Sequence, residues 1–221
     1  MIIDNNIVKD FIEGCCSESN IVEYEPKAVT NIEGLYWWWL VGNYHPDIIL
    51  ESGICRGRST EIIAKAQIRY EIPSYWAFDK SSEFKEYVIN KFKNYRVKYK
   101  IKDSYDGFKS VFEKNKNSKF GVFIDGPKSG EPYRKIIELS SNYNCSFIAS
   151  HDCFPSSQNR IDFESFCLKY FKDKKVYFIS EEESKKYKYL NNYIEKSGVS
   201  SVGEDKWKQT LDRCYHIGIC L

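Results

Sequence analysis

Acidic and polar residues recur at one kind of position along this chain. Glu51, Asp79, the pair Asp103-Ser104, Asp125 and the pair His151-Asp152 each close or follow a short apolar run. Asp and Ser are also ordinary helix caps after strands, so any one of them alone has a structural explanation. Five in succession point to a shared site. A carboxylate accepts hydrogen bonds from ribose hydroxyls or ligates a hard cation. An imidazole serves as a base, as a nitrogen ligand to a softer metal, or as a hydrogen-bonded core group. Lys128, three residues beyond Asp125, follows Gly126-Pro127 and by its context alone reads as a turn lysine.

The stretch Glu51-Ser-Gly-Ile-Cys-Arg-Gly-Arg-Ser-Thr60 adds a different kind of chemistry. Gly53 and Gly57, with Cys55 between them, allow a ligand to approach the backbone, because glycine puts no Cβ in the way. Ser59 and Thr60 are placed to cap the helix that follows, whose N–H groups and positive dipole end face the strand tips. Together these features predict a nucleotide-like cofactor on the turn. Asp79 lies about 20 residues beyond Gly57, the interval at which a carboxylate meets ribose hydroxyls. Asp103 and Ser104, one strand further on, are positioned for an adenine ring. The turn lacks the full G-x-G-x-x-G pattern, so a pyrophosphate is not required of it.

The elements that must hold these groups follow from the hydrophobic pattern. Strand-like runs are predicted at Asp47–Glu51, Tyr75–Asp79, Val97–Lys102, Phe120–Asp125 and Ser146–His151. Helical spacings fill Ser59–Tyr70, Ser81–Tyr95, Tyr105–Asn115 and Glu131–Tyr143. Strands alternating with helices imply a parallel sheet covered on both faces, and ligands of such sheets bind beyond the carboxyl ends of the strands. Two N-terminal helices are expected near Asn5–Gly14 and Asn31–Asn43. Toward the C-terminus, Val176–Ser180 and Cys214–Cys220 are expected to join the sheet edge as an antiparallel pair, with a polar helix at Ser184–Lys196 between them. The 221 residues are expected to form a single unit. Residues 1–44 would supply N-terminal helices, 45–155 the cofactor-binding core and 156–221 the C-terminal helices and edge strands.

Composition narrows the setting. The net charge of +2 comes from 33 basic against 31 acidic residues, which gives no electrostatic reason to expect nucleic acid. The most hydrophobic window, Leu35–Val41, is too short to span a bilayer. It reads as a buried helix face or, alternatively, as an aromatic lid. No basic segment with a long apolar run opens the chain, so neither a secretory signal nor a membrane partner is expected. The eight cysteines show no C-x-x-C spacing, and a reduced, cytoplasmic protein is the expectation. His45 and His216 have no chemical context and are taken as structural.

Four motifs in order, Glu51-Ser-Gly-Ile-Cys-Arg-Gly57, Tyr75-Trp-Ala-Phe-Asp79, Phe123-Ile-Asp-Gly-Pro-Lys128 and Ser150-His-Asp-Cys153, resemble a class I S-adenosylmethionine-dependent methyltransferase. Within that class the chain is similar to the small-molecule O-methyltransferases of the catechol, macrocin and cephalosporin-hydroxylase-like groups. The resemblance implies an α/β, Rossmann-like, doubly wound fold: a mainly parallel seven-stranded sheet with an antiparallel C-terminal strand pair. It implies S-adenosyl-L-methionine against Glu51, Gly53, Cys55, Gly57 and Ser59, its ribose at Asp79 and its adenine beside Asp103 and Ser104. The reaction centre would be at Asp125, with Lys128 as base and His151 beside it.

Metal-dependent members use magnesium, which here would fall to Asp125 and Asp152. Their acidic pair after the fifth strand reads His151-Asp152 in this chain, so only Asp152 is an oxygen donor there. The acceptor implied is a hydroxyl of a small molecule or sugar, in a pocket from Thr30–Tyr44, Lys128–Arg134 and Phe154–Phe163. Homo-oligomer formation is left open. Two other readings use the same residues: an NAD(P)-dependent oxidoreductase, and a binding protein that keeps the fold without catalysis. A hydrolase built on Cys153 and His151 would need an oxyanion hole and an orienting group that the sequence does not display.

Overall fold

A computed structural model describes residues 3–17, 29–127, 129–179, 181–191 and 217–221. Five strands run parallel: β1 (Ile48–Ser52), β2 (Ser74–Asp79), β3 (Val97–Ile101), β4 (Phe120–Ile124) and β5 (Cys145–Ser150). Two short strands follow, β6 (Val176–Phe178) and β7 (Gly218–Cys220), and the sheet order is β3-β2-β1-β4-β5-β7-β6. β7 lies between β5 and β6 and is antiparallel to both. The chain winds outward from β1 to β3, then returns to lay β4 on the other side of β1. That reversal opens a crevice at the carboxyl ends of β1 and β4, where ligands of such sheets bind.

The sheet is covered on both faces, as its nearly continuous apolar strands require. One face packs on α1 (Asn5–Phe11), α2 (Asn31–Tyr44), α3 (Arg58–Arg69) and α4 (Lys85–Phe92). The other packs on α5 (Ser104–Lys114), α6 (Gly130–Ser140) and α7 (Gln158–Tyr170). A short helix, α8 (Glu181–Lys185), and a 3₁₀ turn (Lys188–Asn191) lead back toward α2. Helix α2 is buried all round from Asn31 to Val41, because it is held between the sheet, α1, α3 and the 3₁₀ turn. A helix apolar on every side is a core helix, so the tryptophan-rich window is mainly core.

Pleating assigns side chains to faces two by two. Ile49, Tyr75, Ala77, Phe123, Phe147 and Ala149 enter the core under α2 and α3, whereas Leu50, Phe78, Val122, Ile124 and Ile148 enter the opposite one. Carried one step further, the same alternation sends Glu51, Asp79, Asp125 and His151 toward the α2 side. The register reinforces this, since Glu51 pairs with both Ala77 and Phe123, and Phe123 pairs with Ala149. Four chemically competent side chains thus leave neighbouring strands on one face.

Several expectations need correction. Helix α7 falls within 156–221, where helices are expected but only Ser184–Lys196 is placed. Phe163 and Cys167 are buried on it while Ile161 and Leu168 are exposed, so its apolar residues are spread around the helix and mask the period. Helix α4 is shorter than predicted at both ends. Asp79 and Ser81 side chains accept from the Ser81 and Glu83 N–H groups, and such local bonds compete with a helical start. In place of one helix over Ser184–Lys196, the structure has α8 and the 3₁₀ turn; 192–196, Cys214 and His216 lie outside the described residues. No helix among the described residues is long and apolar enough to cross a membrane.

Candidate active site at the strand tips

The tips of β1 and β4 are in direct contact. Ser52 O accepts from Asp125 N at 2.8 Å and Gly126 N at 3.1 Å, and Gly53 N donates to Phe78 O at 2.9 Å. Gly53 has φ +84°, and a Cβ there would lie 2.9 Å from Gly126 N. Its glycine is therefore demanded by the adjacent strand tip. Gly57, at φ +79°, caps α3 with no side-chain bond, and a Cβ there would strike the Phe92 ring at 2.6 Å. The predicted capping role of Ser59 and Thr60 is corrected. Both are buried within the first turn of α3, and the Thr60 hydroxyl donates to Glu51.

Glu51 is fully buried. Its Oε2 accepts from Thr60 Oγ1 at 2.8 Å and from the Tyr75 hydroxyl at 2.5 Å. Its Oε1 has no hydrogen-bond partner among the described residues. Burial pushes the carboxyl up to about 7, against the lowering effect of the Tyr75, Thr60 and Ser59 hydroxyls. A buried polar atom without a partner is uncommon and asks for an explanation. A donor on a bound ligand would supply one, which fits this turn to a cofactor.

Asp79 organises the turn from the neighbouring strand. Oδ2 accepts from Ile54 N at 2.8 Å and Cys55 N at 3.0 Å, and Oδ1 accepts from Ser81 N at 2.8 Å. A carboxylate offers about four acceptor positions, so three are already used. Asp103 is exposed and caps α5 by accepting from Tyr105 N at 3.0 Å. Ser104 is buried, and its hydroxyl accepts from Ser52 Oγ at 2.7 Å. Ser104 is thus joined to the β1 tip, whereas Asp103 is held at the outer edge.

At the tips of β4 and β5 the arrangement changes character. His151 is buried, with Nδ1 lying 3.1 Å from Asp125 Oδ1 and 3.3 Å from Asp152 Oδ1. Its Nε2 faces Glu33 Oε1 at 3.3 Å. Glu33 comes from the first turn of α2 and is itself buried. Its Oε2 closes a capping box by accepting from Thr30 N at 2.8 Å and Thr30 Oγ1 at 3.0 Å. Burial opposes charge on His151, but the Glu33 and Asp125 carboxylates outweigh it and hold the imidazole well above its ordinary range. Burial would raise Glu33, yet His151 and Thr30 hold it below.

Sequence reasoning missed Glu33. The T-x-x-E signature at Thr30–Glu33 reports a helix start, but it says nothing of the second carboxylate oxygen. Two further residues shape this corner. Trp37 lies edge-on to His151, with ring centroids 6.0 Å apart, and packs on Phe123 at 5.3 Å. Asn159 of α7 donates to His151 O at 2.8 Å. Asp152 is held at φ +58°, an uncommon conformation for a non-glycine residue.

Lys128 lies outside the described residues. Cys153 is buried, and its Sγ faces the Ser150 and His151 carbonyls at 3.7 and 3.9 Å. Burial pushes its thiol up to about 12, while both His151 nitrogens face carboxylates. This removes the basis for a cysteine hydrolase, because the thiolate is the nucleophile. His45 closes α2 at φ +41° and lies edge-on to Tyr70, in keeping with a structural role.

Asp125, His151 and Asp152 each offer a ligand atom within 4.8 Å of the others. The two carboxylates suit magnesium. The nitrogen does not, since magnesium favours oxygen ligands and imidazole suits zinc, iron and nickel. The three-donor set is therefore a poor match to magnesium.

No family model and no curated protein sequence matches the chain. Solved structures do match. An O-methyltransferase of Bacillus cereus in complex with SAH is 14% identical with a TM-score of 0.55, over 100% of this chain and 91% of that one. The TDP-rhamnose 3′-O-methyltransferase CalS11 of calicheamicin biosynthesis is 13% identical with a TM-score of 0.53, over 80% and 91%. The SAH-bound methyltransferase PaMTH1 of Podospora anserina is 15% identical with a TM-score of 0.51, over 80% and 84%. The chain has the fold of these methyltransferases. At these identities the likeness is one of fold, and it agrees with the doubly wound sheet and its antiparallel terminal pair.

Proposed function

We propose that this chain is a cytoplasmic, S-adenosylmethionine-dependent O-methyltransferase acting on a hydroxyl of a small molecule or sugar. The observation that carries this reading is the convergence at one topological switch point of a glycine turn with an unpartnered Glu51 oxygen and the Asp125–His151–Asp152 cluster. When bound, S-adenosylmethionine supplies a methyl group on a sulfonium that an oxygen nucleophile attacks in line. Glu51, Gly53, Cys55, Gly57 and Ser59 form the turn that receives its methionine part. Asp79 offers its remaining acceptor position to a ribose hydroxyl, and Asp103 and Ser104 flank the adenine.

Asp125 orients the acceptor hydroxyl beside the cofactor turn, and proximity does much of the work. The hydroxyl proton passes to Asp125 or to Lys128. His151 does not take it, because carboxylates on both of its nitrogens keep the imidazole protonated. A divalent ion on Asp125 and Asp152 would supply further acidification of the hydroxyl.

Calorimetric titration of the purified protein with S-adenosylmethionine and S-adenosylhomocysteine tests the proposal. Binding of both, followed by methyl transfer to one of a panel of hydroxylated sugars and phenols, is the expected result. No binding of either compound would sink it. Binding without transfer to any acceptor would favour a non-catalytic member of the fold.

A further inference from the structure

We infer that Glu33 is a positioning residue that turns His151 into a nitrogen ligand, so that the Asp125–His151–Asp152 site selects a first-row transition ion over magnesium. The site's use in methyl transfer rests on the function proposed above, but its metal preference follows from the donor set alone.

Glu33 is engaged through both of its carboxylate oxygens. Its Oε2 is committed to two Thr30 donors, and its Oε1 is directed at His151 Nε2. An ionised carboxylate only accepts, so Nε2 must carry a hydrogen. In a neutral imidazole that leaves the lone pair on Nδ1, the nitrogen that faces Asp125 and Asp152. Glu33 cannot easily turn away. Arg58, buried in the first turn of α3, donates to Val29 O at 2.5 Å and to Asn31 Oδ1 at 2.6 Å, while Asn31 Nδ2 donates to Leu190 O at 2.9 Å. The start of α2 is therefore clamped from two sides.

The geometry at Nδ1 suits a shared cation. A proton on Nδ1 points along one direction, whereas the nitrogen stands 3.1 Å from one carboxylate oxygen and 3.3 Å from the other. Metal bonds of about 2.0–2.2 Å, set at octahedral to tetrahedral angles, separate ligand atoms by roughly 2.8–3.6 Å. Both N···O distances fall within that span. Binding would exchange the Nδ1 proton for the ion and release it to solvent. A histidine whose far nitrogen is held by a carboxylate is the usual second layer of a metal site. One imidazole and two carboxylates form a donor set better matched to zinc, iron, nickel or cobalt than to magnesium.

The test titrates the full-length protein with Co²⁺ alone and with Mg²⁺ alone by calorimetry, and records the visible spectrum of the Co²⁺ form. Wild type is expected to bind Co²⁺ at least about 100-fold more tightly than Mg²⁺. Glu33→Gln, which keeps a capping acceptor, is expected to weaken Co²⁺ binding about 10- to 100-fold and to shift the spectrum. Its circular dichroism and S-adenosylhomocysteine affinity should stay unchanged.

His151→Asp restores an all-oxygen set and is expected to move the preference toward Mg²⁺, which keeps the proposal testable if Glu33→Gln fails to fold. Absence of Co²⁺ binding, Mg²⁺ affinity equal to that of Co²⁺, an unmoved Co²⁺ affinity in Glu33→Gln, or an unmoved preference in His151→Asp would each overturn it. Failure of S-adenosylhomocysteine to bind any of these proteins would count against the proposed methyltransferase function and leave the metal result standing.

Discussion

The two halves of the crevice handle their carboxylates in opposite ways. At the β1–β2 end, Asp79 is bound by three backbone N–H groups of the chain itself, and Glu51 by two neutral hydroxyls. Those groups shape a turn. At the β4–β5 end, Asp125, Asp152 and Glu33 surround one imidazole, although Glu33 also accepts from Thr30. Carboxylates gathered around one buried group favour a cation at its centre, whether a proton on His151 or a metal ion. One half thus builds a neutral cradle, and the other concentrates charge where a proton must be moved.

This contrast can be broken from either side. The largest effect is expected at the charged end. Asp125→Ala should lower turnover about 100-fold or more, while calorimetry still finds wild-type S-adenosylhomocysteine affinity. Loss of cofactor binding together with turnover would erase the distinction between the two halves.

Glu51 gives a pH-dependent test of the neutral end. Its carboxyl is raised from 4.5 to about 7 in the fold, chiefly by burial, so folding favours the protonated form. The associated stability is full below the unfolded value and is lost as pH rises through the folded one. Unfolding of the ligand-free protein should therefore become easier between those two values by roughly 3 kcal/mol. Glu51→Gln should flatten that dependence in urea titrations across the window, and an unchanged slope would show that Glu51 is not its source.

Asp79→Ala comes next. Removing the acceptor of three backbone donors is expected to cost about 1–3 kcal/mol, read as a roughly 5- to 150-fold loss of S-adenosylhomocysteine affinity before any change in turnover at saturation. Cys153→Ala should do least. Turnover is expected to stay within about twofold of wild type, and a collapse of activity with an intact fold would reopen the nucleophile reading.

Much of the crevice was legible residue by residue. A polar group that closes an apolar run is a local signal, and Glu51, Asp79, Asp125 and His151 were found that way. Their common face follows from strand alternation. The reasons behind some residues were not legible. Gly53 and Gly57 read as room for a ligand, yet the structure fills their missing side-chain space with Gly126 and Phe92. Ser59 and Thr60 read as caps, although Thr60 turns inward to a carboxylate from another strand. Helix α7 was hidden because its apolar residues do not form one stripe.

By itself, the sequence determined the order of the strands and of the helices through α6, the polar strand tips and the turn, because periodicity and turn chemistry act over a few residues. Only the tertiary structure decided that the capping glutamate of α2 is also the partner of His151. It decided too that His151 stands between Glu33 on one nitrogen and Asp125 with Asp152 on the other. Those are contacts between residues far apart in the chain, and they exist because packing α2 across the sheet buries a carboxylate where only an imidazole can meet it.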